Sequence, residues 1–148
     1  MFVLKIKRKR FIIALLAVLL VFTAIVILAN VDFTPVADYA EKNSKSYFLE
    51  ATNVEERQSF FKQIGISVND ETVDEVIIPQ KFNSIYEEYN ELQMNCGFDL
   101  SKYAGKTAKR YTYSIDDGKK AVILVYKNRI IGGHITNGVY GEKNLPLF

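Results

Sequence analysis

A charge-free run of nineteen residues near the N-terminus, Phe11 to Ala29, constrains this chain more than any other feature of its sequence. Thr23 is the single polar side chain in the run. As an α-helix the run is about 28 Å long, against roughly 30 Å for the hydrocarbon core of a bilayer. The pattern predicts a transmembrane anchor over residues 11–29. Five basic residues form a flank within residues 1–10: Lys5, Lys7, Arg8, Lys9 and Arg10.

The basic flank also predicts an orientation. Basic residues beside a membrane span stay in the cytoplasm, so the chain from Asn30 onward is expected on the far side. A cleaved signal peptide is the alternative, with an apolar core of about 7–15 residues and a small-x-small cleavage site. Here the run is longer, its best site begins at the bulky Ile27, and no cysteine follows for a lipoprotein anchor. We therefore expect an uncleaved single-pass protein of the cell membrane, with a cytoplasmic N-terminus and an extracytoplasmic domain.

The charge balance divides the chain into the same two parts. Residues 1–30 carry +5 and no acid, whereas the remainder has fourteen basic and seventeen acidic residues. That mildly acidic remainder argues against a nucleic-acid partner. Cys96 is the only cysteine, so an internal disulfide is excluded and the core must supply the stability. About a hundred residues suffice for one modest core, and an exported domain without disulfides fits a bacterial envelope.

Residues 30–51 are predicted to be a juxtamembrane stalk, in which Val36 to Glu50 could form a short helix after Pro35. The compact domain is expected over residues 52–148. A capping box at Thr52 and Glu55 opens its first helix, and Gly65 ends that helix.

The next elements follow from periodicity. Ile66 to Val68 alternates like a short strand, residues 69–71 read as a turn, and Val76 to Ile78 fits an edge strand closed by Pro79. The second helix is predicted from Asn83 to Cys96, with Gly97 at its end. Its apolar residues share one helical face: Ile85, Tyr89, Leu92 and Cys96.

From Thr107 the period changes to two, which is typical of strands. Turn signals at residues 116–118 and 127–129 separate three runs, and Val139-Tyr140 could add a short last strand. The continuous apolar run Ala121 to Tyr126 indicates a central strand covered on both faces. The fold class is therefore α+β: a transmembrane helix, then a small domain whose two helices pack on one face of an antiparallel sheet of about four strands.

From Ala51 to Ile135 the chain resembles an uncharacterised domain family of Gram-positive anaerobes, the domain of unknown function four-eight-three-zero (DUF4830). The residues that carry the resemblance are Thr52 to Arg57, Val76 to Pro79, Tyr86 to Gln93, Gly97 to Tyr103, Gly105-Lys106, Lys109 to Tyr113 and Ile131 to Gly133. The phrase Gly97-Phe98-Asp99-Leu100 is the most distinctive part. The resemblance implies an N-terminal membrane segment but no activity, and hence no catalytic or binding residue. This chain departs from the family at Ile66, where an aromatic residue is usual, and at the short turn of residues 116–118.

Few residues suggest catalysis or metal binding. Cys96 and His134 are the only conceivable nucleophile and base, but a cysteine on an apolar helix face is usually a core residue. One histidine and one cysteine are too few for a zinc site, and the acids within residues 70–75 lack the spacing of a calcium loop. Gly132-Gly133 favours a bulge or a close helix approach over a phosphate loop. We therefore expect no catalytic residue, no metal and no cofactor.

The two halves of the domain differ in charge. Glu50 to Asp99 has eleven acids and three bases, whereas Leu100 to Phe148 has nine bases and three acids. Exposed charges on a sheet, some of them opposite acids of the helices, are favoured over a docking face as the explanation, since each surface pair contributes little. If there is a docking face for an anionic partner, its candidate residues are Lys106, Arg110, Lys120, Lys127 and Arg129.

Three functional hypotheses remain open at this point. The preferred one is a non-enzymatic, membrane-anchored module that binds or regulates an envelope protein or an anionic polymer. The second is an enzyme acting on envelope material through a site that only the fold assembles. The third is a structural subunit of a membrane complex.

Overall fold

The computed structural model describes residues 8–139 and 141–148, and the chain divides into two compact units, Met1–Phe33 and Thr34–Phe148. The first unit is helix α1, Arg8–Asn30, so residues 1–7 of the predicted basic flank lie outside the described part. The most apolar window of its stretch Lys9–Asn30 has a mean hydropathy of 3.3, and the stretch is long and apolar enough to cross a membrane, as an anchor or a signal sequence would be. Two of its polar side chains are satisfied inside the helix: Thr23 donates to the Leu20 carbonyl at 2.9 Å and Asn30 to the Val26 carbonyl at 2.7 Å.

The second unit is an α+β domain built on a four-stranded antiparallel sheet. The strands are β3 Asn69–Ile77, β4 Thr107–Ser114, β5 Lys120–Tyr126 and β6 Arg129–Thr136, in the spatial order β3-β4-β5-β6. Every residue of β5 after Lys120 is buried. This confirms the prediction of a central strand covered on both sides.

Helices α2, Val54–Gln63, and α3, Ser84–Met94, lie on opposite faces of this sheet. Phe60 and Phe61 of α2 join a core with Ile123 of β5, whereas Tyr89 of α3 packs against a separate cluster that contains Leu124. Successive residues of a strand point to opposite faces, so these two clusters are on different sides. The expectation that both helices cover one face is wrong, because β5 is apolar on both faces and each must be shielded from water.

The ends of α2 are set by its sequence. The N-cap is Asn53, one residue after the predicted Thr52: its side chain accepts from the Glu56 amide at 2.8 Å. The Glu56 carboxylate accepts in turn from the Thr52 amide at 2.6 Å. The capping box is therefore displaced by one position, since asparagine caps at least as well as threonine and Glu56 then stands at the third helical residue. Gly65, with φ +75°, ends the helix as predicted.

Strand β3 is an edge strand that contains Val76 and Ile77 of the predicted edge strand, whereas the predicted strand Ile66 to Val68 and the predicted turn are wrong. The residues 69–71, expected to turn, are the start of β3, with a bulge between residues 69 and 71. The acids that suggested a solvated turn face basic residues across the strand pair: Asp74 is opposite Arg110, and Glu75 is opposite Lys109. Opposite charges on neighbouring strands stabilise pairing. Pairing with the basic residues of β4 therefore stabilises β3 as a strand, although its acidic sequence alone does not predict one.

The predicted stalk is a β-hairpin. Strands β1, Tyr39–Lys42, and β2, Lys45–Phe48, form a two-stranded antiparallel sheet. Asn43 and Ser44 join them, both with positive φ, +52° and +61°. Two residues in this conformation make the turn whose twist matches a hairpin, and Asn-Ser is a weaker signal for it than Asn-Gly. The expectation of a helix in this region is wrong for that reason.

The hairpin belongs to the domain core. Ala40 of β1 and Leu49, which follows β2, are buried in the same cluster as Phe60 and Phe61. The compact unit accordingly begins at Thr34, well before the boundary at residue 52 that the sequence suggested.

Helix α3 presents polar side chains to the interior. Ile85, expected on the buried face, is 77% exposed, whereas Asn90 and Gln93 are buried. Both amides bind main-chain groups: Asn90 Oδ1 accepts from the Leu100 amide at 2.7 Å, and Gln93 Oε1 accepts from the Gly133 amide at 2.6 Å. The helix is rotated from the predicted orientation because these bonds satisfy buried backbone donors.

The outer edge of β6 is covered along its length. Ile130 donates its amide to the main chain after β2, at the Leu49 carbonyl, 2.8 Å away. Gly133 donates to the Gln93 side chain at 2.6 Å. Ile135 donates to Leu145 of the C-terminal segment at 2.9 Å. Three separate parts of the chain therefore satisfy the backbone donors of this edge.

The C-terminal segment completes the core on the α2 side. Of the predicted last strand, Tyr140 lies outside the described residues, and pairing with β6 occurs through Leu145. Leu147 is buried, and the Phe148 ring packs 4.5 Å from the ring of Tyr47 in β2.

A core role for the hairpin predicts the effect of Leu49→Ala. Leu49 is 1% exposed, so the substitution should lower the free energy of unfolding by roughly 3 kcal/mol, as leucine truncation in a core does. Phe48→Ala is the matched control, because the neighbouring Phe48 is 65% exposed. Urea melts measure both variants. If Leu49→Ala unfolds at the same urea concentration as the control, the hairpin does not contribute to the domain core and this segment is a stalk, as the sequence predicted.

Candidate binding surface

The five basic residues predicted from the sequence lie at separate places on the sheet. Lys106 directly precedes β4, and Lys127 and Arg129 are at the turn between β5 and β6, at the same end of the sheet. Arg110 is in the middle of β4. Lys120 begins β5 at the opposite end, roughly 23 Å from Lys127 at the rise of a strand.

Two of the five are already bound to carboxylates. Arg110 makes a two-pronged ion pair with Asp74, and Arg129 lies 2.9 Å from Asp38 and 3.9 Å from Glu50. The hydrogen bond from Arg110 holds the pKa of Asp74 below its usual value. The count of basic residues in the second half of the domain therefore overstates the positive charge that this surface offers to a partner.

Cys96 and His134 lie on opposite sides of the sheet. Cys96 is fully buried in the core on the α2 side, where its thiol donates to the Phe148 carbonyl at 3.3 Å. Gly133 faces that side too, since a Cβ there would meet Leu147, so the neighbouring His134 faces α3. The two side chains do not form the nucleophile and base considered from the sequence.

His134 is bonded instead to Tyr89 of α3, with the hydroxyl 2.9 Å from Nδ1. Burial, together with the positive charge of Arg110, lowers the pKa of His134 to about 4. Burial raises the pKa of Tyr89. At neutral pH the tyrosine is therefore the donor and a neutral imidazole the acceptor.

Gly132 and Gly133 serve the two structural purposes expected of them. The register of β6 shifts beside them, where Leu124 and Val125 of β5 meet it, and this is a bulge. A Cβ on Gly132 would lie 2.9 Å from Gln93 Oε1, so glycine allows α3 to approach. Within residues 8–139 and 141–148, no three histidine, cysteine, aspartate or glutamate side chains are grouped to hold a metal ion.

A buried arginine joins α2 to the sheet. Arg57 binds the Glu71 carboxylate through Nε at 3.0 Å and Nη2 at 2.7 Å, and its guanidinium lies 4.0 Å from the centre of the Tyr111 ring. The Tyr113 hydroxyl donates to the same carboxylate. Burial opposes the charge on Arg57, but hydrogen bonds to Glu71 and Tyr113 prevail and raise its pKa. Burial likewise opposes the charge on Glu71, yet the bonds from Arg57 and Tyr113 lower its pKa.

A shallow groove runs beside α3. Its volume is about 610 Å³, and it lies between α3 and residues 141–144 of the C-terminal segment. Ile85, Tyr89 and Leu92 line the helix side, and Lys143 bridges to Glu88 at 2.9 Å. Glu91 and Asn95 of α3 also line the groove, and Tyr89 links this wall to the sheet through its bond to His134.

The outer edge of β3 differs from that of β6. Ile78 donates to the Lys106 carbonyl and accepts from the Gly105 amide, both at 2.9 Å, so its backbone groups point toward β4. Hydrogen-bonding direction alternates along an antiparallel strand. The backbone groups of Val73, Glu75 and Ile77 therefore point away from the sheet, and no partner for them occurs among the described residues.

The sheet surface next to this edge is open as well. Val73 is 57% exposed and Ile77 is 72% exposed, and both side chains are on the α2 face of the sheet, beyond the reach of α2. A groove of about 320 Å³ continues from Glu75 across β4 and β5 to the Lys127 turn. An open strand edge, two exposed apolar side chains and a groove thus form one continuous surface, the β3 surface.

The ion pair between Arg57 and Glu71, called the arginine clamp below, has an exposed counterpart in the pair between Arg110 and Asp74. The two pairs together allow a matched test of what the buried one contributes to stability. Arg57→Met should lower the free energy of unfolding by roughly 2 kcal/mol, because a partly buried carboxylate and a buried tyrosine hydroxyl then lose a charged partner. Arg57→Lys should restore only part of the loss, since lysine cannot bind both carboxylate oxygens in the same geometry.

Arg110→Met is the control for the clamp, because it removes a similar ion pair between exposed side chains and should leave the urea midpoint close to that of the wild type. Equal losses in the free energy of unfolding for Arg57→Met and Arg110→Met would show that the buried ion pair stabilises the domain no more than the exposed one.

Comparison with known sequences places the domain in a family. A family model described as a domain of unknown function, DUF4830, matches residues 60–135, which is about half of the chain and extends from α2 into β6. No curated protein and no solved structure matches the chain. The protein therefore belongs to the DUF4830 family.

Proposed function

We propose that this chain is a membrane-anchored, extracytoplasmic module that binds or regulates a partner protein at the cell envelope without catalysing a reaction. The observation that carries the proposal is α1. Its stretch Lys9–Asn30 is apolar, and none of its most apolar window is buried, so the helix needs an apolar environment from outside the chain. A bilayer supplies one.

The basic residues before the helix support the direction of insertion. Lys9 and Arg10 stand at the start of α1, and the sequence before them is basic too, whereas the last turn of the helix has no basic residue. This asymmetry favours a cytoplasmic N-terminus. Retention of the helix as an anchor is favoured over cleavage by the length of its apolar run.

The β3 surface supports a binding role. An exposed strand edge beside exposed apolar side chains is the kind of feature that proteins use to recognise other chains. A protein partner is favoured over an anionic polymer, because Arg110 and Arg129 already bind carboxylates of the domain. The separation of Cys96 from His134 favours binding over nucleophilic catalysis.

An enzyme acting on envelope material is the second candidate, and the groove beside α3 favours it. Tyr89 lines this groove and is bonded to His134. Glu88, Glu91 and Asn95 line the same groove, but among the described residues none of them is hydrogen-bonded to this pair, so we rank an enzyme below a binding module.

Protease digestion of intact bacterial cells stripped of their wall tests the topology. We expect digestion of the chain after Asn30, survival of a cytoplasmic control protein, and recovery of undigested α1 in the membrane fraction. A domain that resists digestion until the membrane is lysed would contradict the orientation. Release of the whole domain into the medium would show that the helix is a cleaved signal sequence.

A further inference from the structure

We propose that the outer edge of β3 accepts an additional β-strand from a different protein, in an extended segment that has a lysine or arginine with apolar residues two positions before and after it. The inference rests on the proposed binding function and names the chemistry of the partner. Its basis is the contrast between the two edges of the sheet, the charge of β3 and the exposed side chains beside it.

The open edge follows from hydrogen bonds at both ends of the sheet. Ile78 fixes the alternation on β3, as described above. Counted from the other end, Gly133 and Ile135 of β6 donate outward, so His134 bonds toward Val122 of β5. Because hydrogen-bonding direction alternates between neighbouring strands, Thr112 of β4, which is opposite Val122, directs its backbone groups toward Thr72 of β3. The even-numbered residues of β3 therefore bond to β4, and the backbone groups of the odd-numbered residues again point outward.

The two edges are treated differently by the fold. On β6, the hairpin, α3 and the C-terminal segment each occupy part of the edge, whereas β3 has no such cover within residues 8–139 and 141–148. A row of unpaired backbone donors and acceptors is a template for another strand. Adding a strand there supplies main-chain hydrogen bonds, which give affinity irrespective of side-chain sequence.

Charge selects the partner. Four of the nine residues of β3 are acidic: Asp70, Glu71, Asp74 and Glu75. Arg57 and Arg110 bind Glu71 and Asp74, so pairing with a second copy of β3 would bring to one seam four carboxylates, Asp70 and Glu75 of each copy, that have no ion-pair partner among the described residues. Like charges directly opposite each other are destabilising. The edge is therefore protected against self-association and favours a basic strand.

Strand β4 shows which side chains suit β3. Lys109 stands opposite Glu75, and Arg110 stands opposite Asp74. On the outward side, Val73 and Ile77 flank Glu75 on one face of the strand. An incoming strand with a basic residue near Glu75 and apolar residues near Val73 and Ile77 would thus repeat on the open side what β4 does on the closed side.

A peptide titration tests the proposal with the full chain in nanodiscs of uncharged lipid. The probe is a fluorescein-labelled nine-residue peptide in which a central lysine has a valine two positions before it and two positions after it, with threonine at the other positions, and the control peptide has glutamate in place of lysine. We expect saturable binding of the lysine peptide, at least tenfold weaker binding of the glutamate peptide, and no binding to empty nanodiscs. A lysine peptide that fails to bind at low salt overturns the proposal.

Variants of β3 locate the binding. Val73→Pro removes one outward amide while the bonds to β4 remain, as proline permits on an edge strand; we expect at least tenfold weaker binding. Val73→Ile, the matched control, keeps both the amide and an apolar side chain and should bind like the wild type. Glu75→Lys should also weaken binding at least tenfold, and it does not depend on how proline is tolerated. Wild-type affinity in Glu75→Lys and in folded Val73→Pro would exclude this edge as the site.

Two further outcomes distinguish this proposal from self-association through β3 and from the proposed location of the domain. Self-association of the wild type that Val73→Pro abolishes would assign the edge to a second copy and overturn the choice of partner. A domain found on the cytoplasmic side would refute the proposed location, yet the titration would be unchanged, so the two proposals fail independently.

Discussion

Burial of β5 on both faces is the constraint on which the rest of the domain depends. Its residues from Ala121 to Tyr126 are apolar throughout and shielded throughout. A strand of this kind must lie inside a sheet and must be covered from two sides. Helix α2 and the hairpin provide one cover, and α3 with the helical turn Leu100–Tyr103 provides the other.

Covering both faces makes the domain asymmetric at its edges. Helix α3 reaches β6 closely because Gly132 has no side chain, and Gln93 then takes the place of a neighbouring strand for Gly133. The hairpin and the C-terminal segment occupy the remaining donors of that edge. The outer edge of strand β3, by contrast, has no hydrogen-bonded neighbour among residues 8–139 and 141–148. The segments that complete the core therefore cover the edge of β6 and leave the edge of β3 open for binding.

Short-range sequence patterns correctly predicted the elements that depend on neighbouring residues of the chain. The apolar run gave α1, the apolar stretch of β5 gave a central strand, and Gly65 and Gly97 gave two helix ends. Other features depend on contacts between distant residues. The acids of β3 tolerate a strand because β4, more than thirty residues later, carries the matching bases. Gln93 is buried because Gly133 needs an acceptor.

The candidate site was predictable only in part, for the same reason. The sequence displays the basic residues of the sheet half, but not that Asp74 and Asp38 bind two of them. Nor does it show that one strand edge is left open, because that depends on where the hairpin and the C-terminal segment come to lie. Asn43 and Ser44 carry the one local signal for the hairpin, and it is weaker than an Asn-Gly pair.

Amide hydrogen exchange of the full chain, followed residue by residue with NMR, tests the central claim most directly. Amides held in hydrogen bonds exchange slowly, whereas unpaired amides at an edge exchange fast. Ile130, Gly133 and Ile135 of β6 should be protected, and Val73, Glu75 and Ile77 of β3 should exchange quickly, while Thr72 and Asp74 between them stay protected. Slow exchange of the odd-numbered amides of β3 in the protein alone would show that this edge is already covered and would contradict the account.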